Sequence, residues 1–138
     1  MFLIDTNIIS EARKGLRANP GVRDFLQQTD DASLFLSVIT IGEIRCGIAS
    51  LQQRGDQPQA ALLDDWLQQL CQDFGERILP FDLDCAQLWG TLLAPHRQHP
   101  VDRQLAATAL IYDLTLVTRN TADFSGLPVR LLNPFSSN

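Results

Sequence analysis

Positive charge, long apolar runs and paired cysteines are all scarce in this chain, and each scarcity closes off a class of function. Eleven Lys and Arg residues face sixteen Asp and Glu, giving a net charge of -5. Such a field repels a nucleic-acid backbone, which argues against a passive nucleic-acid-binding module. It leaves room for an enzyme that grips such a strand through bound cations and a few local arginines. No apolar run approaches the roughly 20 residues of a membrane-spanning helix. The start Met1-Phe2-Leu3-Ile4-Asp5 lacks the basic opening and longer apolar stretch of a secretory signal, so a cytoplasmic protein without membrane attachment is expected. Cys46, Cys71 and Cys85 are odd in number and widely spaced, which fits neither a zinc site nor a redox motif. All three are expected to be reduced packing residues.

What remains is an ordinary globular composition, 45% hydrophobic and 20% charged over 138 residues, enough for one self-supporting domain spanning residues 1–138. No internal repeat occurs, and the only biased stretch is the glutamine-rich segment 52–59. Strand signals fall at residues 2–4, 34–38, 78–81, 114–118 and 129–132. Helical patterns occupy 6–14 and 22–28, separated by the turn signal Asn19-Pro20-Gly21. A further helix is expected from Thr40, where Thr40-x-x-Glu43 has the form of a capping box ahead of Ile41, Ile44, Ile48 and Leu51. Residues 61–74 then carry Leu62, Trp66 and Leu70 on one stripe, completing a helical hairpin. Asp82 resembles the N-cap of a helix running to about residue 97, and Asp102 opens the next one. Alternation of strand and helix predicts an α/β fold, a mainly parallel sheet flanked by helices.

In such sheets the ligand site lies beyond the carboxyl ends of the strands. Asp5 follows the first strand, Glu43 lies in the helix entered from the second, and Asp123 follows the 114–118 strand, so these three should share an edge. Asp102 heads the helix feeding that strand, and its placement depends on how the helix crosses. Taken singly, each acid has an ordinary explanation as a helix cap or loop residue. Together they would repel, by roughly 3 kcal/mol for two carboxylates about 5 Å apart at an effective dielectric of 20. A cluster therefore implies either protonation or a cation, and hard oxygen donors favour Mg²⁺ or Mn²⁺ over zinc. The matching chemistry is metal-assisted hydrolysis. No nucleophile elbow, phosphate loop or persuasive Cys and His pair competes with it. His96 and His99, beside Arg97, Gln98 and Pro100, read as a solvated loop. Trp66 and Trp89 read as core or dimer contacts.

Four segments in register resemble the PIN-domain family: Asp5-Thr6-Asn7, Gly42-Glu43-Ile44-Arg45-x-Gly47-Ile48, Asp102-x-x-Leu105-Ala106-Ala107-Thr108-Ala109, and Thr118-Arg119-Asn120-x-x-Asp123-Phe124. Within that family the chain resembles toxins of the VapC or FitB type. Gln104 departs from the pattern, being polar where such helices usually carry an apolar residue. The resemblance implies an Mg²⁺-dependent endoribonuclease toxin that cleaves cellular RNA and is inhibited by a cognate antitoxin, and it implies a homodimer. It assigns metal binding and catalysis to Asp5, Glu43 and Asp102, with Asp123 completing the site. Thr6, Asn7, Ser37, Thr118 and Asn120 are the expected supporting shell, although Ser, Thr and Asn also gather at strand ends for turn and capping reasons. Of the arginines near the acids, Arg45 and Arg119 are the expected RNA contacts.

Two other readings remain open. A non-catalytic interaction module could use the same acidic face. An aspartate-nucleophile phosphatase could use Asp5, but it generally needs a second acid where Asn7 stands and a lysine, and Lys14 is the only one in the chain.

Overall fold

A computed structural model describes residues 1–137. Its elements are β1 (Phe2–Ile4), α1 (Thr6–Ala12), α2 (Pro20–Gln28), β2 (Leu34–Ser37), α3 (Val38–Gln53), α4 (Gln57–Phe74), β3 (Ile78–Leu79), α5 (Leu83–Leu93), α6 (Pro100–Ile111), β4 (Thr115–Val117) and β5 (Leu131–Leu132). Every strand pairing is parallel, in the order β3-β2-β1-β4-β5. Parallel neighbours cannot be joined by tight turns, so the helices serve as crossovers and cover both faces of the sheet. The chain builds outward from β1 through β2 to β3, then returns to the other side of β1 for β4 and β5. This reversal opens a crevice at the carboxyl ends of β1 and β4, the usual place for a ligand in a doubly wound sheet.

Neighbouring strand residues point to opposite faces, and the core divides accordingly. Ile4 joins Ile8, Ile44, Ile48 and Leu67 in a cluster under α1 to α4. Leu3 joins Leu105, Ala106, Ala109, Leu116 and Phe124 on the α6 side. The small side chains of Ala106 and Ala109 let α6 lie close to the sheet.

Several boundaries differ from expectation, each for a local reason. α3 begins at Val38, not Thr40, because β2 ends in Ser37, whose hydroxyl accepts the Ile39 amide at 3.0 Å and caps the helix. Thr40 instead points inward, fully buried, and among the described residues its Oγ1 has no partner. No capping box forms, so Glu43 has no capping task. α1 stops at Ala12 and the chain turns through Gly15, whose φ of +62° suits glycine. α2 starts at Pro20, capped by Asn19. α4 begins at Gln57, four residues ahead of the expected start and capped by Asp56, and Leu62 faces solvent while Ala60, Leu67 and Leu70 are buried. Asp82 caps α5 as expected, through the Cys85 amide, but that helix ends at Leu93, and α6 begins at Pro100 with Asp102 in its first turn. β1 spans residues 2–4 as expected, and the other strands are shorter than their apolar runs. All three cysteines are free; Cys85 is buried and Cys71 half-buried against the core, whereas Cys46 is exposed and departs from the expected packing role.

Trp66 packs against the first core cluster beneath Arg13, 5.8 Å from its ring. Trp89 meets Phe81 edge-on and donates its Nε1 hydrogen to the Pro100 carbonyl.

Candidate active site

The crevice is built around Asp5. Its amide donates to the Val117 carbonyl, continuing the β1–β4 ladder by one residue, and its extended backbone makes it the N-cap of α1. Its Oδ1 accepts the Thr6 amide at 2.7 Å, and its Oδ2 accepts the Thr118 hydroxyl at 2.7 Å and the Asn7 amide group at 3.3 Å. Only 6% of the residue is exposed. Thr118, just past β4, is buried as well, and its oxygen also accepts the Asn120 backbone amide at 3.1 Å. The Asn7 side-chain Oδ1 accepts the Arg119 backbone amide at 3.2 Å, so the two strand ends are stitched together through polar groups.

Glu43 reaches the same place from α3, where its Oε1 accepts the Thr6 hydroxyl at 2.7 Å. Asp102 projects from the first turn of α6. Asp123 sits in a single 3₁₀ turn, Thr121–Phe124, anchored by the buried Phe124 ring. The crossing of α6, left open by the sequence, brings Asp102 close enough for the charges of Asp5, Asp123 and Glu43 to act on it.

The expected shell divides. Thr6, Asn7 and Thr118 bond directly to the acids, and Asn120 enters through its backbone amide. Ser37 is a cap for α3, and among the described residues it bonds to none of the four carboxylates. Arg45 forms an ion pair with Asp64 at 2.9 Å, and the Arg119 guanidinium lies over the Phe135 ring, 4.6 Å from its centroid.

His99 lies in an exposed loop as expected, but it stands beside the acids. It occupies the N-cap position of α6 in the left-handed region, with its Nδ1 3.6 Å from Asp102 Oδ2. Ligand atoms of His99, Asp102 and Asp123 all lie within 4.8 Å of one another. The signal was present in the spacing, because residues at the N-cap and three positions later face each other at a helix start.

Burial is the first cause of the perturbed acidity throughout. It raises the Asp5 carboxyl against the hydrogen bonds from Thr118, Thr6 and Asn7, and the charge of Asp123 raises it further. Partial loss of water raises Glu43, opposed by Thr6 and reinforced by Asp5. Asp102 is pushed up to about 6, by burial and then by Asp5, Asp123 and Glu43, with His99 opposing. Charge repulsion of this kind is relieved by a cation among oxygen donors, and the donor set suits a hard divalent ion.

The sequence model of the PIN domain family matches residues 2–128. The chain belongs to the PIN domain family. Three relatives extend this. One is the plasmid stability protein StbB of Pseudomonas syringae pv. tomato, 34% identical over 142 residues, covering 99% of this chain and all of that one. Another is the toxin FitB of Neisseria gonorrhoeae, 33% identical, covering 98% of this chain and 99% of that one. The third is the VapC ribonuclease Y4jK of Sinorhizobium fredii, 30% identical, covering 98% of each. The crystal structure of FitAcB from N. gonorrhoeae superposes with a TM-score of 0.84 at 33% identity, covering 97% of this PIN domain and 98% of that chain.

Proposed function

We propose that this PIN domain is an Mg²⁺-dependent endoribonuclease, with Mn²⁺ a workable substitute, and that it acts as the toxin of a toxin–antitoxin pair. The observation that carries the reading is the meeting of Asp5, Glu43, Asp102 and Asp123, from four separate segments, at the switch point of a parallel sheet without a compensating Lys or Arg ion pair among the described residues. Likeness to a protein named a VapC ribonuclease and to one named a toxin supports it.

Asp5, Glu43 and Asp102 would hold the ion, with Asp123 completing the set. A divalent cation bound there supplies Lewis acidity to a phosphodiester and lowers the pKa of the attacking water. The chain's own contribution is orientation. Thr118 and Asn7 fix the Asp5 carboxylate, Thr6 fixes Glu43, and all three donors are neutral, so they leave the negative charge available to a cation. A phosphatase using Asp5 as nucleophile loses support, because the Lys14 ammonium pairs with Glu11 at 2.9 Å.

The same acidic crevice would attract a basic segment of an antitoxin, and opposite charge would speed that encounter. A homodimer working in the cytoplasm fits this reading. Among the described residues no helix is long and apolar enough to cross a membrane.

The test is cleavage of a mixed cellular RNA pool by protein freed of any co-purifying partner, with Mg²⁺ or Mn²⁺ set against EDTA. Cleavage is expected only with metal, and Asp5→Ala should lower the rate at least about a hundredfold, roughly 2.7 kcal/mol of barrier. A folded sample that binds metal but cuts nothing would instead favour a non-catalytic interaction module.

A further inference from the structure

Arg103 is only 7% exposed, yet among the described residues no carboxylate lies within 4 Å of its guanidinium. Its Nε donates to the Leu92 carbonyl at 3.3 Å and its Nη1 to the Gln98 carbonyl at 2.7 Å. These neutral acceptors satisfy hydrogen bonds without cancelling the charge. A buried cation in that state is costly unless an anion comes to it.

The surroundings show where such an anion would enter. Arg103 lines a cavity of about 270 Å³ together with His96, His99, Ser125 and Asp123. His99 and Asp123 also belong to the carboxylate cluster, so this cavity adjoins the acids directly. On its other side Arg103, His96 and Ser125 form the shared wall of a second cavity, about 350 Å³, whose remaining lining includes Leu92, Pro95 and Leu127. One basin is polar and next to the acids, and the next is mostly apolar and near the lower size limit for a small-molecule pocket. Two histidines and an arginine thus line this rim of a chain that is acidic overall.

We infer that Arg103, with His96 and Ser125, forms a nucleotide subsite for an RNA strand. The phosphate next to the scissile one sits on the Arg103 guanidinium, and its base rests against Leu92, Pro95 and Leu127. Guanidinium suits phosphate because its planar fork grips two oxygens at once. Apolar walls suit a base because single-stranded RNA is read through unstacked, exposed bases. The inference rests on the nuclease reading and deepens it, by naming what would make the enzyme sensitive to the nucleotide beside the cut.

The experiment measures binding of a fluorescent single-stranded oligoribonucleotide of random sequence to Asp5→Ala protein, with Mg²⁺, across a salt series. Arg103→Gln and His96→Glu are added separately to that background and separately to the wild type. Each is expected to weaken RNA binding about tenfold or more. Arg103→Gln should also make the slope of log affinity against log salt shallower by about 0.7, the share of one phosphate contact on a single strand. In the wild-type background, Mn²⁺ affinity by calorimetry should not fall, which separates this subsite from the acids. His96 is exposed, so its variant keeps the test decisive if Arg103→Gln fails to fold. Unchanged RNA affinity and slope, in protein that still cleaves RNA, would overturn the subsite and leave Arg103 as a staple for residues 94–99. A wild-type protein that neither binds nor cleaves RNA would overturn the nuclease reading and the subsite with it.

Discussion

The two ends of the sheet handle charge in opposite ways. At the amino end, Arg130 meets the Asp113 carboxylate and carbonyl, both at 3.0 Å, and the Thr115 hydroxyl at 3.3 Å, tying the approach to β5 to the start of β4. Arg77 bridges the carbonyls of Asp31, Leu34 and Asp73 and lies over the Phe74 ring at 4.6 Å, locking the starts of β2 and β3. At the carboxyl end, four acids gather, the donors to Asp5 and Glu43 are neutral, and carboxyl groups are forced upward in pKa. Strand ends that only need holding are fastened by arginines, Arg130 through a carboxylate and Arg77 through backbone carbonyls. The end that is proposed to bind an ion keeps its repulsion, because a cation supplied by the protein would compete with the one that does the chemistry.

Breaking the amino end should act on stability alone. Arg77→Ala removes three carbonyl bonds and a stacking contact and is expected to cost about 2–3 kcal/mol in denaturant unfolding. RNA cleavage per folded molecule should stay at the wild-type rate, and a large fall would show that the two ends are coupled.

At the carboxyl end the effect is smaller and opposite in sign. An aspartate in the unfolded chain titrates near 3.8, whereas folded Asp102 titrates at about 6. Between those values the native state holds more protons than the unfolded one, so this group's contribution to stability falls as pH rises through that window. Asp102→Asn should therefore raise the melting temperature of metal-free protein by a few degrees near neutral pH. The gain should vanish below about pH 4, where both states are protonated. Saturating Mg²⁺ should reverse the ranking, and a gain that persists in acid would mean that charge is not its source.

The smallest effect is expected at Thr40, in the first turn of α3. Replacing its buried, unpartnered hydroxyl with the methyl of valine should stabilise the fold by up to about 1 kcal/mol without changing RNA cleavage. A loss of stability would reveal a bonding partner for that oxygen.

Much of this was legible in the pattern of residues. Alternating apolar strands and amphipathic helices predicted the α/β class, and acids at the ends of three elements marked the working edge. Where the reading slipped, two local signals competed. Ser37 and Thr40 were both chemically fit to cap α3, and the end of β2 left only Ser37 in extended backbone at the helix entrance. Leu62 and Leu67 were equally apolar, and only the way α4 lies on α3 decided that Leu67 goes inside.

The sequence by itself determined the element types, the family and which four acids are the candidates for the site, because these depend on local periodicity and on motifs contiguous in the chain. Only the tertiary structure decided that Asp102 joins Asp5 and Glu43, and that Arg103 is buried without an acidic partner among the described residues. Those facts depend on how α6 crosses the sheet, a packing outcome set by Ala106 and Ala109 against β1 and β4, and no short window of sequence contains it.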